Sequence, residues 1–90
     1  MAKKTKSNFE EMLDEIGKNC GRYWSDYDAE DYDDEYEGKN AYAIECADEM
    51  ADDVANIIES HGYKILEESN FCGSSYDGVI FIIQLTEEDL

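Results

Sequence analysis

The sequence predicts an α+β domain in the order helix, acidic segment, helix, strand, strand, with two amphipathic helices packed on a C-terminal antiparallel β-hairpin. Three observations point there. Apolar residues recur at intervals of three and four over residues 8–20 and again over residues 40–61. After a glycine-punctuated turn comes a β-branched and aromatic run, Val79-Ile80-Phe81-Ile82-Ile83-Gln84-Leu85. A chain of 90 residues holds one such domain and has no room for a second.

Residues 1–6, with Lys3, Lys4 and Lys6, form a short basic tail remote from any apolar pattern and expected to be flexible. Residues 7–90 are the single acidic domain. Ser7 with Glu10 is a capping-box signature, and Phe9, Met12, Leu13, Ile16 and Cys20 then line one side of a helix over about residues 8–20. Glu10, Glu11, Asp14 and Glu15 fill the other side, and Gly21 is its stop. In the following segment, residues 22–39, Ser25 is placed to start a short helix with Ala29, Tyr32 and Tyr36 on one side.

Asn40 is the expected cap of the second long helix. Ala43, Ile44, Ala47, Met50, Ala51, Val54, Ile57, Ile58 and His61 share half of its wheel, and Gly62 ends it. Glu45, Asp48, Glu49, Asp52, Asp53 and Glu59 occupy the other half, without a lysine or arginine. Residues 63–69 read as a strand, which Phe71 and Cys72 extend, and residues 79–85 as its hairpin partner. A hairpin alone is marginal in water. The helices would cover one face, and a third strand from another segment or another copy of the chain would complete the sheet, so the free edge leaves a homodimer open.

Seven Lys plus Arg face 24 Asp plus Glu, a formal charge of −17, which disfavours direct binding to a nucleic-acid backbone or an anionic membrane. Seven Tyr, three Phe and one Trp supply core material that a disordered acidic chain lacks. No apolar run approaches the roughly 20 residues of a membrane span, and no signal-peptide stretch follows Met1, so a cytoplasmic location is expected. Cys20, Cys46 and Cys72 include no CxxC pair, which predicts reduced thiols rather than a disulfide or zinc framework. Asp26, Asp28, Glu30, Asp34 and Glu37 fall in the register of a calcium loop. Asp31 and Asp33, however, stand where such a loop requires glycine and an apolar residue. No metal site and no cofactor are expected. The single histidine, His61, lies beside the helix end as a packing or capping residue, and no GxSxG, P-loop, HExxH or GxGxxG pattern occurs, so no enzyme is expected.

What remains is a polyanion. Along the expected second helix six carboxylates from Glu45 to Glu59 would fall about every 3.7 Å of axis, against 3.4 Å per phosphate along a DNA strand. The segment from Asp26 to Glu37 adds eight more, interleaved with Tyr27, Tyr32 and Tyr36. Such a surface suits the basic groove of a nucleic-acid-binding protein. Asp31, Asp33, Asp34, Glu35, Glu45, Asp48, Glu49, Asp52 and Asp53 are the expected phosphate substitutes, and Tyr32 and Tyr36 the expected anchors.

In size, acidity and layout, on residues 10–15, 26–37 and 45–59, the chain resembles the nucleic-acid-mimicking inhibitors that bacteriophages make against host defences. Anti-restriction, uracil-DNA glycosylase inhibitor and anti-CRISPR proteins belong to that class. The resemblance implies a DNA-mimicking inhibitor of a nuclease or CRISPR effector in the host bacterial cytoplasm. The alternative is an acidic adaptor, antitoxin-like or immunity-like protein that neutralises a basic partner without imitating DNA.

Overall fold

The computed structural model describes residues 7–73 and 76–85. The tail of residues 1–6 and the turn residues Ser74 and Ser75 lie outside them. The chain runs through α1 (Asn8–Cys20), β1 (Trp24–Asp28), α2 (Ala29–Tyr32), a 3-10 turn (Asp34–Tyr36) and β2 (Ala41–Ala47). A second 3-10 turn (Asp48–Met50), α3 (Ala51–Ser60), β3 (Lys64–Cys72) and β4 (Asp77–Gln84) follow. The strands form one antiparallel sheet in the order β1-β2-β4-β3. The α+β class is the one expected, and the hairpin is β3 with β4.

Helix α1 begins on a full capping box: the Glu10 amide donates to Ser7 Oγ at 3.2 Å, and the Ser7 amide donates to Glu10 Oε1 at 3.1 Å. It stops at Gly21, whose φ of 64° is one that a side chain disfavours. Met12, Ile16 and Cys20 are its buried residues. The far ends of α1 and α3 are tied together by His61. Its Nε2 lies 2.9 Å from Glu15 Oε1 and its Nδ1 2.9 Å from Asn8 Oδ1, while Asn8 Nδ2 donates to the His61 carbonyl at 2.8 Å.

Every residue of β4 from Gly78 to Ile83 is buried, as a strand covered on both faces must be. Val79, Phe81 and Ile83 meet α1, α3, Ile44 and Cys46 on one face. Ile80 and Ile82 meet Ala41, Ala43 and Ala29 on the other, beneath the rings of Tyr27, Tyr32 and Tyr36. The molecule therefore has three layers: a helix layer of α1 and α3, the sheet, and a thin cover of α2 and the first 3-10 turn. Only glycine fits at position 78, where a Cβ would stand 2.3 Å from the Cys46 carbonyl oxygen and 2.7 Å from the Phe71 ring.

The second long helix is corrected in its first half. Residues 41–47 are a strand, and the helix starts at Ala51. Ile44 and Cys46 face the helix layer while Ala41 and Ala43 face the cover, so a strand with apolar residues on both faces imitates a helical spacing. Pairing with β1 on one side and β4 on the other overrides the helical preference of its alanines. The short helix is likewise corrected: Ser25 lies in β1, and α2 starts at Ala29 after Asp28. Two helices on a hairpin thus become two helices on a four-stranded sheet, the added strands coming from residues 24–28 and 41–47.

Candidate partner-binding surface

Acids occupy the first turn of each helical segment: Glu10 and Glu11 in α1, Glu30 and Asp31 in α2, Asp34 and Glu35 in the first 3-10 turn, Asp48 and Glu49 in the second, Asp52 and Asp53 in α3. The unpaired amides of a helix start favour negative charge, so each pair helps to fix its own segment. Asp33 does so through its side chain, which accepts the Glu35 amide at 3.0 Å. Local folding thus explains where the acids stand. It does not explain their number, because like charges a turn apart, such as Asp48/Asp52 and Glu49/Asp53, repel.

The sheet divides the expected phosphate substitutes. Asp31, Asp33, Asp34 and Glu35 are exposed on the cover, whereas Asp52 and Asp53 are exposed on α3 in the helix layer, and Asp48 and Glu49 on the second 3-10 turn between β2 and α3. Among the described residues none of these eight forms an ion pair with lysine or arginine. The evenly spaced row of charge along one helix is corrected too, because its first member, Glu45, belongs to β2. Glu45 is half-buried on the cover face and accepts hydrogen bonds from Ser25 Oγ at 2.9 Å and the Tyr27 hydroxyl at 3.4 Å.

Tyr32 and Tyr36 are half-buried, and their hydroxyls are engaged inside the molecule. Both donate to Glu67, Tyr36 to Oε1 and Tyr32 to Oε2 at 3.1 Å, and Ser69 Oγ donates to Oε2 at 3.0 Å. These bonds fasten the cover to β3. The Tyr36 hydroxyl is pushed up to about 12, first by its bond to Glu67, and that of Tyr27 also to about 12, first by burial. The three hydroxyls, Tyr36 foremost, hold the Glu67 carboxyl below its ordinary value. A depressed carboxyl stabilises the fold above its unfolded value, and that contribution is lost as pH falls through the folded value. Acid titration of the tyrosine signals should accordingly show the cover loosening only below the usual carboxylate range, and Glu67→Gln should remove that step. An unchanged acid limb in the variant would rule out the fastening role.

At the opposite end of the sheet the structure adds residues that sequence reading missed. Ala47, Asp48, Glu49, Tyr76 and Asp77 line a shallow hollow of about 260 Å³. The Ala47 amide donates to the Tyr23 carbonyl at 3.0 Å, which seats Tyr23 beside it. Tyr23 is 38% exposed, meets the Tyr76 ring edge-on at 6.0 Å, and carries the Arg22 guanidinium 5.3 Å from its own ring centre. The Arg22 guanidinium, which also donates to the Tyr23 hydroxyl at 3.2 Å, already occupies this ring, so what the corner offers a basic side chain is the carboxylates of Asp48, Glu49 and Asp77. Trp24, by contrast, turns inward against Gly17. The signal for this corner was Asp77 next to Tyr76, hidden in a stretch that reads only as a turn.

Cys20 and Cys46 are buried free thiols and Cys72 an exposed one; burial pushes the Cys46 thiol up to about 12. Residues 26–37 form strand, helix and 3-10 turn rather than an ion-binding loop, and no group of three potential metal ligands occurs among the described residues. No helix there is long and apolar enough to cross a membrane. No protein-family profile, curated protein or solved structure matches the chain.

Proposed function

We propose that this protein is a DNA-mimicking inhibitor that occupies the basic nucleic-acid-binding groove of a host defence nuclease, CRISPR effector or other nucleic-acid-binding protein. The observation that carries the reading is the set of exposed carboxylates Asp48, Glu49, Asp52 and Asp53, unpaired with lysine or arginine among the described residues and joined by Asp77, Tyr76 and Tyr23 at one corner. In a basic groove these acids take the place of phosphates, steer the encounter and exclude nucleic acid by competition. The protein works as a stoichiometric binder, without catalysis or cofactor, in the bacterial cytoplasm. Asp31, Asp33, Asp34 and Glu35 form a second acidic group on the cover, while Tyr32 and Tyr36 act by holding that cover in place.

One observation favours the rival reading, an acidic adaptor or antitoxin-like protein that neutralises a basic partner without imitating DNA. The acids of the cover and Asp52 and Asp53 of α3 belong to layers on opposite sides of the sheet. Capture of partners from a bacterial lysate on the immobilised protein, repeated with excess duplex DNA, separates the two. Mimicry predicts that the captured protein is a nucleic-acid binder released by the duplex; a partner retained against duplex supports the rival.

A further inference from the structure

Strand β3 is at the sheet's edge, and among the described residues no strand lies on its outer side. At nine residues it offers roughly 30 Å of unpaired backbone donors and acceptors. Edges of this length are usually blunted by bulges, prolines or charge. Here one irregularity, between Ile65 and Glu67, and the charges of Lys64, Glu67 and Glu68 protect only the first half. Ser69, Asn70, Phe71 and Cys72 carry neither charge nor proline and pair in unbroken register with β4.

We propose that this edge accepts an extended, lysine- or arginine-rich segment of the partner as a fifth strand. Charge complementarity selects that occupant. On the helix-layer face the edge presents exposed Glu68, and on the cover face Glu67, which binds the hydroxyl of Tyr36, the residue that follows the exposed Asp34 and Glu35. Side chains of an added strand alternate between these faces, so basic residues at successive positions meet carboxylates on both. A second copy of this chain is the poorer occupant. A symmetric antiparallel pair centred on β3 sets Glu68 against Glu68, between bodies that each carry −17. The inference rests on the partner being basic, and adds that main-chain pairing supplements charge.

A short synthetic peptide with pairs of adjacent lysines between valines, which places lysines on both faces of an added strand, is the probe, titrated into the full chain at low salt with amide exchange read residue by residue. Its depsipeptide analogue, with ester oxygens replacing the amide N–H groups, keeps the charges and loses the donors. The expected result is new protection confined to residues 66–72, and binding of the analogue at least about tenfold weaker. Equal binding of the analogue, or protection confined to other segments, would overturn edge pairing. Protection of β3 that grows with protein concentration and no peptide would assign the edge to a second copy, also overturning it. A glutamate-for-lysine peptide that binds as well as the lysine form would instead overturn the basic-partner reading and leave edge pairing standing.

Discussion

Replacing Asp48, Asp52 and Asp53 together by lysine is expected to slow association with the basic partner by about ten- to a hundredfold, because steering by opposed charge raises encounter rates by 10–1,000-fold. The substitution changes the formal charge from −17 to −11 and inverts its sign at the second 3-10 turn and the start of α3. Folding should change little. Lysine at the start of α3 opposes the helix dipole by roughly 0.3–1 kcal/mol per residue and keeps a like-charge pair at positions 48 and 52, while the Glu49/Asp53 repulsion becomes an attraction that returns about 0.2–0.5 kcal/mol. Circular dichroism should match the parent chain while stopped-flow association slows and dissociation changes less. The corresponding reversal of Asp31, Asp34 and Glu35 is the internal comparison. A larger loss from that set would transfer the interface to the cover, and an unchanged association rate in both would remove the acidic surface from binding.

Phe81→Ala should have the largest effect on stability. Phe81 is 1% exposed in the middle of β4, packed in the cluster that joins Met12, Ile16, Ile44, Val54 and Ile58. Truncating such a ring costs about 3–5 kcal/mol in transfer and cavity terms, a large part of the roughly 5–15 kcal/mol that holds a domain folded. For a chain of this size the melting midpoint should fall by at least about 12 °C. Leu66, 41% exposed on β3, supplies the control: its alanine variant should stay within about 0.5 kcal/mol of the parent. Equal losses at the two positions would contradict a core centred on β4.

Elements carried by local chemistry were legible in the sequence. Helix α1 was read at its observed bounds because Ser7, Glu10 and Gly21 fix both ends through contacts within a few residues. The hairpin was read because Val79 to Ile83 has no charge to spare for a surface. Strand β1 was hidden by Asp26 and Asp28, residues that disfavour strands and are tolerated here at an edge, where the Tyr42 hydroxyl donates to Asp26 at 2.7 Å. In β2 the alanines are small because the cover presses on them, and in sequence that size reads as helix. Glu45 and Glu67 could not be told from surface acids. What marks them is the ring of hydroxyls from Ser25, Tyr27, Tyr32, Tyr36 and Ser69, most of which reach them from 18 or more residues away. Asp48, Glu49, Asp52 and Asp53 were placed rightly on an exposed helical surface, since their segment begins only after β2 ends.

Underlying the functional reading is a set of exposed acids, Asp31, Asp33, Asp34, Glu35, Asp48, Glu49, Asp52 and Asp53, that pair with no lysine or arginine among the described residues. The melting midpoint of the free protein measured from about 0.01 M to about 1 M sodium chloride, where the Debye length contracts from about 30 Å to about 3 Å, tests this without knowledge of the partner. Mutual repulsion among unpaired carboxylates predicts that the midpoint rises with salt. A midpoint that stays level or falls would mean that the acids are balanced internally, and would contradict the account.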